Sequence, residues 1–282
     1  MKNPASIILV IFILMLFTSC KFNGNINNSE IYDVGLIDSL PYSLFTLDTT
    51  DASCITSFKH CPTAKFSFPV FQTPDSSLNI FLNSEVQKMI LYKTESTMFP
   101  SINAYLENYF ADNSELKKQG DYDDESSAWE NEKNVKVFNK KGKHLTLESD
   151  EYSFCGGAHP NSFSVFKTYD LIIKKQISAR DLFINLNDTA LLRIGEHYFR
   201  NDNEIADSTK LSETGFFIFG DGDDFENGPN YGKFHFNDNY ALTKDGIQFL
   251  YNRYEIGPYF LGAPRFTIPY TELRYYLKIT VW

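Results

Sequence analysis

The hydrophobic positions of the chain follow a helical period in its first part. Between Asp75 and Tyr92 the apolar residues recur three or four positions apart and fall on one face. A second stripe with the same spacing begins after Ser101 and fades near Gly120. The pattern predicts two amphipathic helices, the first of them capped by Asp75 or Ser76.

From residue 128 onward apolar and polar residues alternate, which is typical of half-buried strands. A proline inside the earlier alternating segment Lys65–Phe71 predicts an edge strand at most, because Pro69 has no N–H to donate. A helix is predicted over 188–200 and a short helix or turn over 271–277. Strands are predicted over 129–138, 144–154, 162–169, 171–177, 215–219, 233–242, 246–251 and 265–269.

Helices therefore come first and strands dominate later. This order predicts an α+β fold, with helices packed on mostly antiparallel β-sheets in two small subdomains. We expect an N-terminal α+β domain over residues 41–152 and a C-terminal α+β domain over residues 153–282. A hydrophobic content of 43% and an aromatic content of 16% agree with a globular, β-rich chain.

The first twenty residues have the pattern of an export signal. Lys2 is followed by an almost unbroken apolar run, Ile7–Phe17, which has the length of a signal core and is short for a membrane span. The run ends in Phe17-Thr18-Ser19-Cys20, which resembles a bacterial lipobox. We predict a lipoprotein signal peptide over 1–19 and a lipidated Cys20 that opens a flexible tether over 20–40. An ordinary cleaved signal is the alternative.

Export would place the protein in the cell envelope, lipid-anchored on the periplasmic or cell-surface side of a membrane. Three further cysteines would then lie in an oxidising compartment. Cys54 and Cys61 enclose a short loop, so we predict a disulfide between them. Two free thiols, or pairing of one of them with Cys155, are the alternatives.

The net charge of the chain is −10. An acidic surface argues against nucleic acid as a partner and suits a basic protein. The acidic segment Asp221–Gly228 has carboxylates that calcium would accept, but Phe225 stands where an EF-hand needs an oxygen ligand, so a solvated loop is expected. The five histidines show no metal-ligand spacing, and we predict no metal and no cofactor.

The segment Phe154–Asn161 is the most unusual in the chain. Gly156 and Gly157 free the backbone, and Pro160 directs His159 towards an extended geometry. We interpret the segment as a tight junction between two strands that fixes one imidazole in place. A nucleophilic dyad of Cys155 and His159 is possible chemistry, but a structural role for both side chains is favoured.

Two stretches resemble a bacterial family of paired domains of unknown function. The matching motifs occur in order over about 130 residues. They are Gly156–Pro160, Asp181–Phe183, Asp245–Tyr259, Gly262 and Ile268–Tyr270. Such pairs are found in RsiV-like anti-sigma factors, whose extracellular part binds lysozyme, and as the non-catalytic front part of peptidoglycan deacetylases. Others are envelope lipoproteins.

The resemblance implies a non-catalytic binding module for peptidoglycan-related material or for a lysozyme-like protein. We predict no catalytic residues, and we name four binding candidates: His159, Tyr254, Glu255 and Tyr259. Core packing of the tyrosines is the default expectation, because aromatic rings usually fill interior space. The alternative function is an envelope hydrolase that uses His159 with an acidic partner such as Glu255.

Overall fold

The computed structural model describes residues 40–52, 54, 61–94, 97–118, 129–218 and 231–278. The predicted signal peptide, Cys20, most of the tether and the acidic segment Asp221–Gly228 lie outside these residues. Within the described ranges no helix is long and apolar enough to cross a membrane.

A six-stranded sheet forms the centre of the molecule. Its strand order is β1-β2-β5-β6-β7-β8, and every pair is antiparallel except β2 with β5. The long hairpin β5–β6 and the next strand β7 are the three longest, as the alternating pattern predicts. The bounds are β1 Tyr42–Thr50, β2 Thr63–Phe71, β5 Glu130–Lys141, β6 His144–Phe154, β7 Asn161–Asp170 and β8 Lys175–Ile177.

A smaller antiparallel sheet has the order β11-β10-β9, and a two-stranded ribbon β3–β4 lies between the first two described helices. These strands are β3 Tyr92–Thr94, β4 Thr97–Met98, β9 Tyr240–Leu242, β10 Gly246–Leu250 and β11 Arg265–Pro269. The described helices are α1 Ser76–Ile90, α2 Ile102–Lys118, α3 Ala179–Leu182, α4 Thr189–Asp202 and α5 Tyr270–Leu273. The predicted α+β class with two antiparallel-rich sheets is confirmed.

One hydrophobic core lies between α1, α2 and one face of the large sheet. Asp75 caps α1 by accepting from the backbone N–H groups of Ser77 and Leu78, as its position in the sequence predicts. The apolar stripe of that helix then meets Leu145, Leu147 and other residues of the sheet. Burial of this stripe, more than helix propensity, holds α1 in place.

A second core is built around Phe199 of α4. Its side chain is fully buried and its ring contacts five other aromatic rings from the surrounding segments, namely Phe216, Phe217, Phe234, Tyr251 and Phe266. Edge-to-face arrangements dominate among these pairs, which is the geometry that aromatic quadrupoles favour.

The large sheet separates these two cores. Successive side chains of a strand point to opposite faces. Leu145 and Tyr169 therefore join the helical core, while Phe166 packs with Ala241 and Leu250 of the small sheet. The division expected after residue 152 stays a prediction: residue 152 lies inside β6, and the same sheet continues through β7 to β8.

Four local predictions are wrong, and one of them is the strand over 233–242, of which only Tyr240–Leu242 forms a strand, β9. The strand β2 lies between β1 and β5, although Pro69 predicts an edge strand. The pairing of β2 with β5 ends at Ser67, so Pro69 does not have to donate a hydrogen bond to β5. The predicted strand at 215–219 is a turn over its described residues, because Gly215 and Phe217 have positive φ and Phe217 is drawn into the aromatic core. Residues 171–174 form a turn, and β8 begins only at Lys175.

Candidate functional site

The β6–β7 junction places one histidine at the end of the large sheet. Gly156 and Gly157 have φ of +87° and +95°, a backbone region that residues with a Cβ rarely adopt. Open space surrounds the position of a Cβ on Gly157, so conformation and not crowding requires glycine there. The tight connection brings His159 back over the C-terminal part of the chain.

His159 stacks on Tyr259. The two ring centroids are 3.8 Å apart and the planes differ by 18°. The Tyr259 hydroxyl donates to the carbonyl oxygen of Pro160 at 2.9 Å, and the Tyr254 hydroxyl lies 3.5 Å from Nε2 of His159. We call the three rings of His159, Tyr254 and Tyr259 the aromatic platform. The structure thus brings together three of the four predicted binding residues.

The platform is open to solvent. His159 is exposed, and 53% of Tyr254 is accessible. Tyr254 has a φ of +66°, which is uncommon for a residue with a side chain and turns its ring outward from the loop. The guanidinium of Arg253 lies over the Tyr259 ring at 5.1 Å from its centroid. This cation–π contact holds the positive charge of Arg253 against the platform.

Glu255, the fourth predicted residue, has a local structural task. Its two carboxylate oxygens accept from the side-chain amide of Asn237 at 2.6 Å and from the backbone N–H of Asn252 at 2.7 Å. These contacts shape the loop that carries the platform. Arg265 lies 3.7 Å from the buried Glu148.

Two asparagines secure this loop against the free edge of β7. Asn252 accepts from the N–H of Ser164 at 2.8 Å and donates to its carbonyl oxygen at 3.0 Å. Asn239 donates to the same carbonyl at 2.9 Å and accepts from the N–H of Phe166 at 2.7 Å. The side chains therefore satisfy strand groups that β8 does not reach, since β8 pairs only with Thr168–Asp170.

An open groove of about 550 Å³ lies beside the platform. One wall is the outer side of β7 with Phe163, Val165 and Lys167; the other is formed by residues 237–239 and 252–255. Lys167 and Arg253 bring two positive charges to the groove, and Asp238 and Glu255 bring two negative charges. Sequence reasoning missed Arg253 and Lys167, although Arg253 stands directly before the Tyr-Glu pair that the resemblance singled out.

Cys155 does not have the environment of an activated nucleophile. Partial burial of the sulfur, and then the nearby charge of Glu151, raise the pKa of the Cys155 thiol, which keeps it protonated. The ring nitrogens of His159 contact the Pro160 carbonyl and the Tyr254 hydroxyl. Cys54 and Cys61 form a disulfide, and Cys155 is the free cysteine among the described residues. The same residues contain no group of three or more potential metal ligands.

Family comparisons agree with this architecture. A model described as Deacetylase PdaC matches residues 55–162, and a model described as Protein of unknown function (DUF3298) matches residues 166–271. The chain is a member of this paired-domain family. The platform joins the two matches, because His159 belongs to the PdaC-type domain and Tyr254 and Tyr259 belong to the DUF3298 domain.

Solved DUF3298 structures share the fold of the pair. A member from Bacteroides fragilis is 19% identical, with a TM-score of 0.67, over 86% of this chain and 95% of that one. A member from Pseudomonas aeruginosa is 21% identical, with a TM-score of 0.63, over 86% of this chain and 97% of that one. The comparison with curated proteins gives no significant match.

Proposed function

We propose that this PdaC–DUF3298 chain is a non-catalytic binding module of the cell envelope, lipid-anchored at Cys20, that holds peptidoglycan-related glycan on the aromatic platform. The observation that carries the proposal is the stack of the exposed His159 on the half-buried Tyr259, with the exposed Tyr254 beside it. Exposed aromatic rings offer apolar faces with polar edges, a combination that suits sugars. The deacetylase named in one family match, and the resemblance to peptidoglycan deacetylases, support a cell-wall ligand.

Two positive and two negative side chains line the groove, so the preference for glycan rests on the aromatic platform and the family match and not on net charge. Arg253 and Lys167 would attract the carboxylates of muramyl residues and peptide stems, while Asp238 and Glu255 balance their charge over the groove as a whole. The net charge of −10 is a property of the whole surface and would attract a basic protein elsewhere on it. The alternative hydrolase would need Glu255 as the acidic partner of His159, but the carboxylate of Glu255 already accepts hydrogen bonds from Asn237 and Asn252.

Sedimentation with purified cell-wall sacculi tests the proposal. Loss of one stacked ring contact costs about 0.5–1.5 kcal/mol, so Tyr259→Ala should bind roughly two- to twelvefold more weakly. Tyr275→Ala removes an exposed tyrosine outside the platform and serves as the matched control. Arg253→Met should weaken binding of carboxylate-bearing muropeptides more than binding of uncharged chitin oligosaccharides.

Three outcomes would contradict the proposal. Equal losses for Tyr259→Ala and Tyr275→Ala would show that the platform is not the site. Binding of lysozyme without binding of sacculi would assign the chain to the protein-binding class. Turnover of a cell-wall substrate that disappears in His159→Ala, with the fold retained, would favour the hydrolase.

A further inference from the structure

The strand registers divide the large sheet into two ends that lie far apart. At one end the β6–β7 junction carries the aromatic platform. At the other end the chain enters β1 at Tyr42, which pairs with Phe71, and the β5–β6 and β7–β8 turns follow beside it. Nine residue steps of β6 separate the registers His144 with Asp170 and Ser153 with Asn161, which corresponds to about 30 Å. We call the end with Tyr42 the entry end.

The β7–β8 turn at the entry end exposes two adjacent isoleucines. Ile172 is 72% accessible and Ile173 is 63% accessible. The turn is held firmly, because Asp170 accepts from the backbone N–H groups of both isoleucines and pairs with Lys143 across the neighbouring turn. Ile172 and Ile173 therefore form an exposed apolar tip, which the described part of the chain does not cover.

The charge around this apolar tip differs in sign from that of the whole chain. The β5–β6, β7–β8 and β9–β10 turns, together with the aspartates that pair with their lysines, carry six lysines and four aspartates. The difference is two positive charges. The chain as a whole has a net charge of −10. The lysines are Lys140, Lys141, Lys143, Lys174, Lys175 and Lys244, and the aspartates are Asp75, Asp170, Asp181 and Asp245.

We propose that the entry end docks on the lipid bilayer, with Ile172 and Ile173 inserted among the headgroups and the lysines against anionic phosphates. The inference rests on the proposed lipid anchor at Cys20. The predicted tether of about 20 residues would have a root-mean-square reach of about 25 Å as a flexible chain, and the described residues begin at this end, just before β1. The anchor therefore keeps the apolar tip close to the membrane, and insertion fixes the orientation.

Docking in this way points the platform outward. The 30 Å sheet stands between the bilayer and His159, so the proposed glycan site faces away from the membrane. A protein that holds cell-wall material gains from this orientation, because its site does not have to compete with the lipid surface. A bilayer and a protein partner would both suit exposed isoleucines, but the position of the tether favours the bilayer.

Fluorescence quenching in vesicles tests the orientation. The full lipidated chain is placed in vesicles of phosphatidylethanolamine and phosphatidylglycerol that contain a nitroxide-labelled lipid. The polarity-sensitive dye NBD is attached to Ile172→Cys in a Cys155→Ser background, and to the native Cys155 in a second sample. Cys155 is free and exposed at the platform end, which makes it an internal control. The label at 172 should shift to shorter wavelength and be quenched, and the label at 155 should keep its aqueous emission.

Flotation of the same vesicles separates the possible failures. A chain that does not float with the lipid contradicts the anchor, and with it this inference. A chain that floats while the label at 172 keeps its aqueous emission contradicts the docking alone. Equal quenching at 172 and 155 would show that the body has no fixed orientation, and would also overturn the inference. Binding of sacculi is measured independently of all three results.

Discussion

Asn252→Asp should destabilise the chain in a pH-dependent way, because the side chain substitutes for a missing strand at the edge of β7. Asn252 is only 6% exposed and makes an acceptor and a donor contact with Ser164. Aspartate keeps the acceptor but turns an oxygen towards the Ser164 carbonyl, which then keeps only its bond from Asn239. A buried carboxylate facing a carbonyl oxygen, with Glu255 next to it, has a raised pKa.

The magnitude follows from these contacts. When the new carboxyl is protonated, its O–H can donate to the Ser164 carbonyl in place of the amide, so the penalty is at most that of about one hydrogen bond, ~1 kcal/mol. When it is ionised, a pKa rise of about two units adds ~2.7 kcal/mol, for a total of about 3–4 kcal/mol. The sign is clear: a folded pKa above the unfolded value of about 3.9 means that stability is lost as the pH rises through and above that value.

Urea unfolding of the wild type and the variant, near pH 4 and near pH 7, measures the penalty at each pH. Asn187→Asp makes the same chemical change at an exposed position and should stay within about 0.5 kcal/mol of the wild type. A penalty for Asn252→Asp that is the same at both pH values would refute the reasoning. It would mean that no charge is being buried, and that Asn252 does not bridge the loop and the strand.

Three further predictions concern stability. Replacing Cys54 and Cys61 by serine should lower the free energy of unfolding by about 2.5 kcal/mol, as calculated from the short loop they close; unchanged unfolding under non-reducing conditions would contradict this. Gly246→Ala should cost about 1–3 kcal/mol in urea unfolding, because its Cβ would lie 2.2 Å from the Ile268 carbonyl oxygen; a neutral result would contradict the close approach. Burial lowers the pKa of His144, whose Nε2 has no partner, so the wild type should lose stability relative to His144→Leu as the pH falls below about 6.5; parallel pH profiles would contradict it.

The sequence pattern predicts the parts of the fold that depend on local repetition. The stripes of α1 and α2 and the alternation along β5, β6 and β7 each repeat over ten or more residues, so one face is specified many times over. The Asp75 cap is likewise a local signal, and the structure confirms it. The predicted strand at 215–219 is wrong because Phe217 packs against the rings of Phe199, Phe234 and Tyr251. These contacts come from distant segments, and no local pattern encodes them.

The candidate site is predictable only in part. The glycine pair and His159 stand out in the sequence because their chemistry is unusual for a strand. The stacking of His159 on Tyr259 joins positions that are 100 residues apart, and no local sequence pattern predicts this contact. At Gly246 the sequence predicts a turn but not the reason for the glycine. The structure shows that reason, because the backbone of β11 lies too close to leave room for a Cβ.

The position of β7 gives a physical reason for the pairing of the two domains. The strand completes the sheet of the PdaC-type domain on one side and receives Asn239 and Asn252 of the DUF3298 domain on its free edge. Separating the domains near residue 163 would leave Ser164 and Phe166 with unpaired backbone groups and would split the stack of His159 on Tyr259. The edge contacts that stabilise the interface are thus the same contacts that position the platform, so binding and domain association depend on one set of hydrogen bonds.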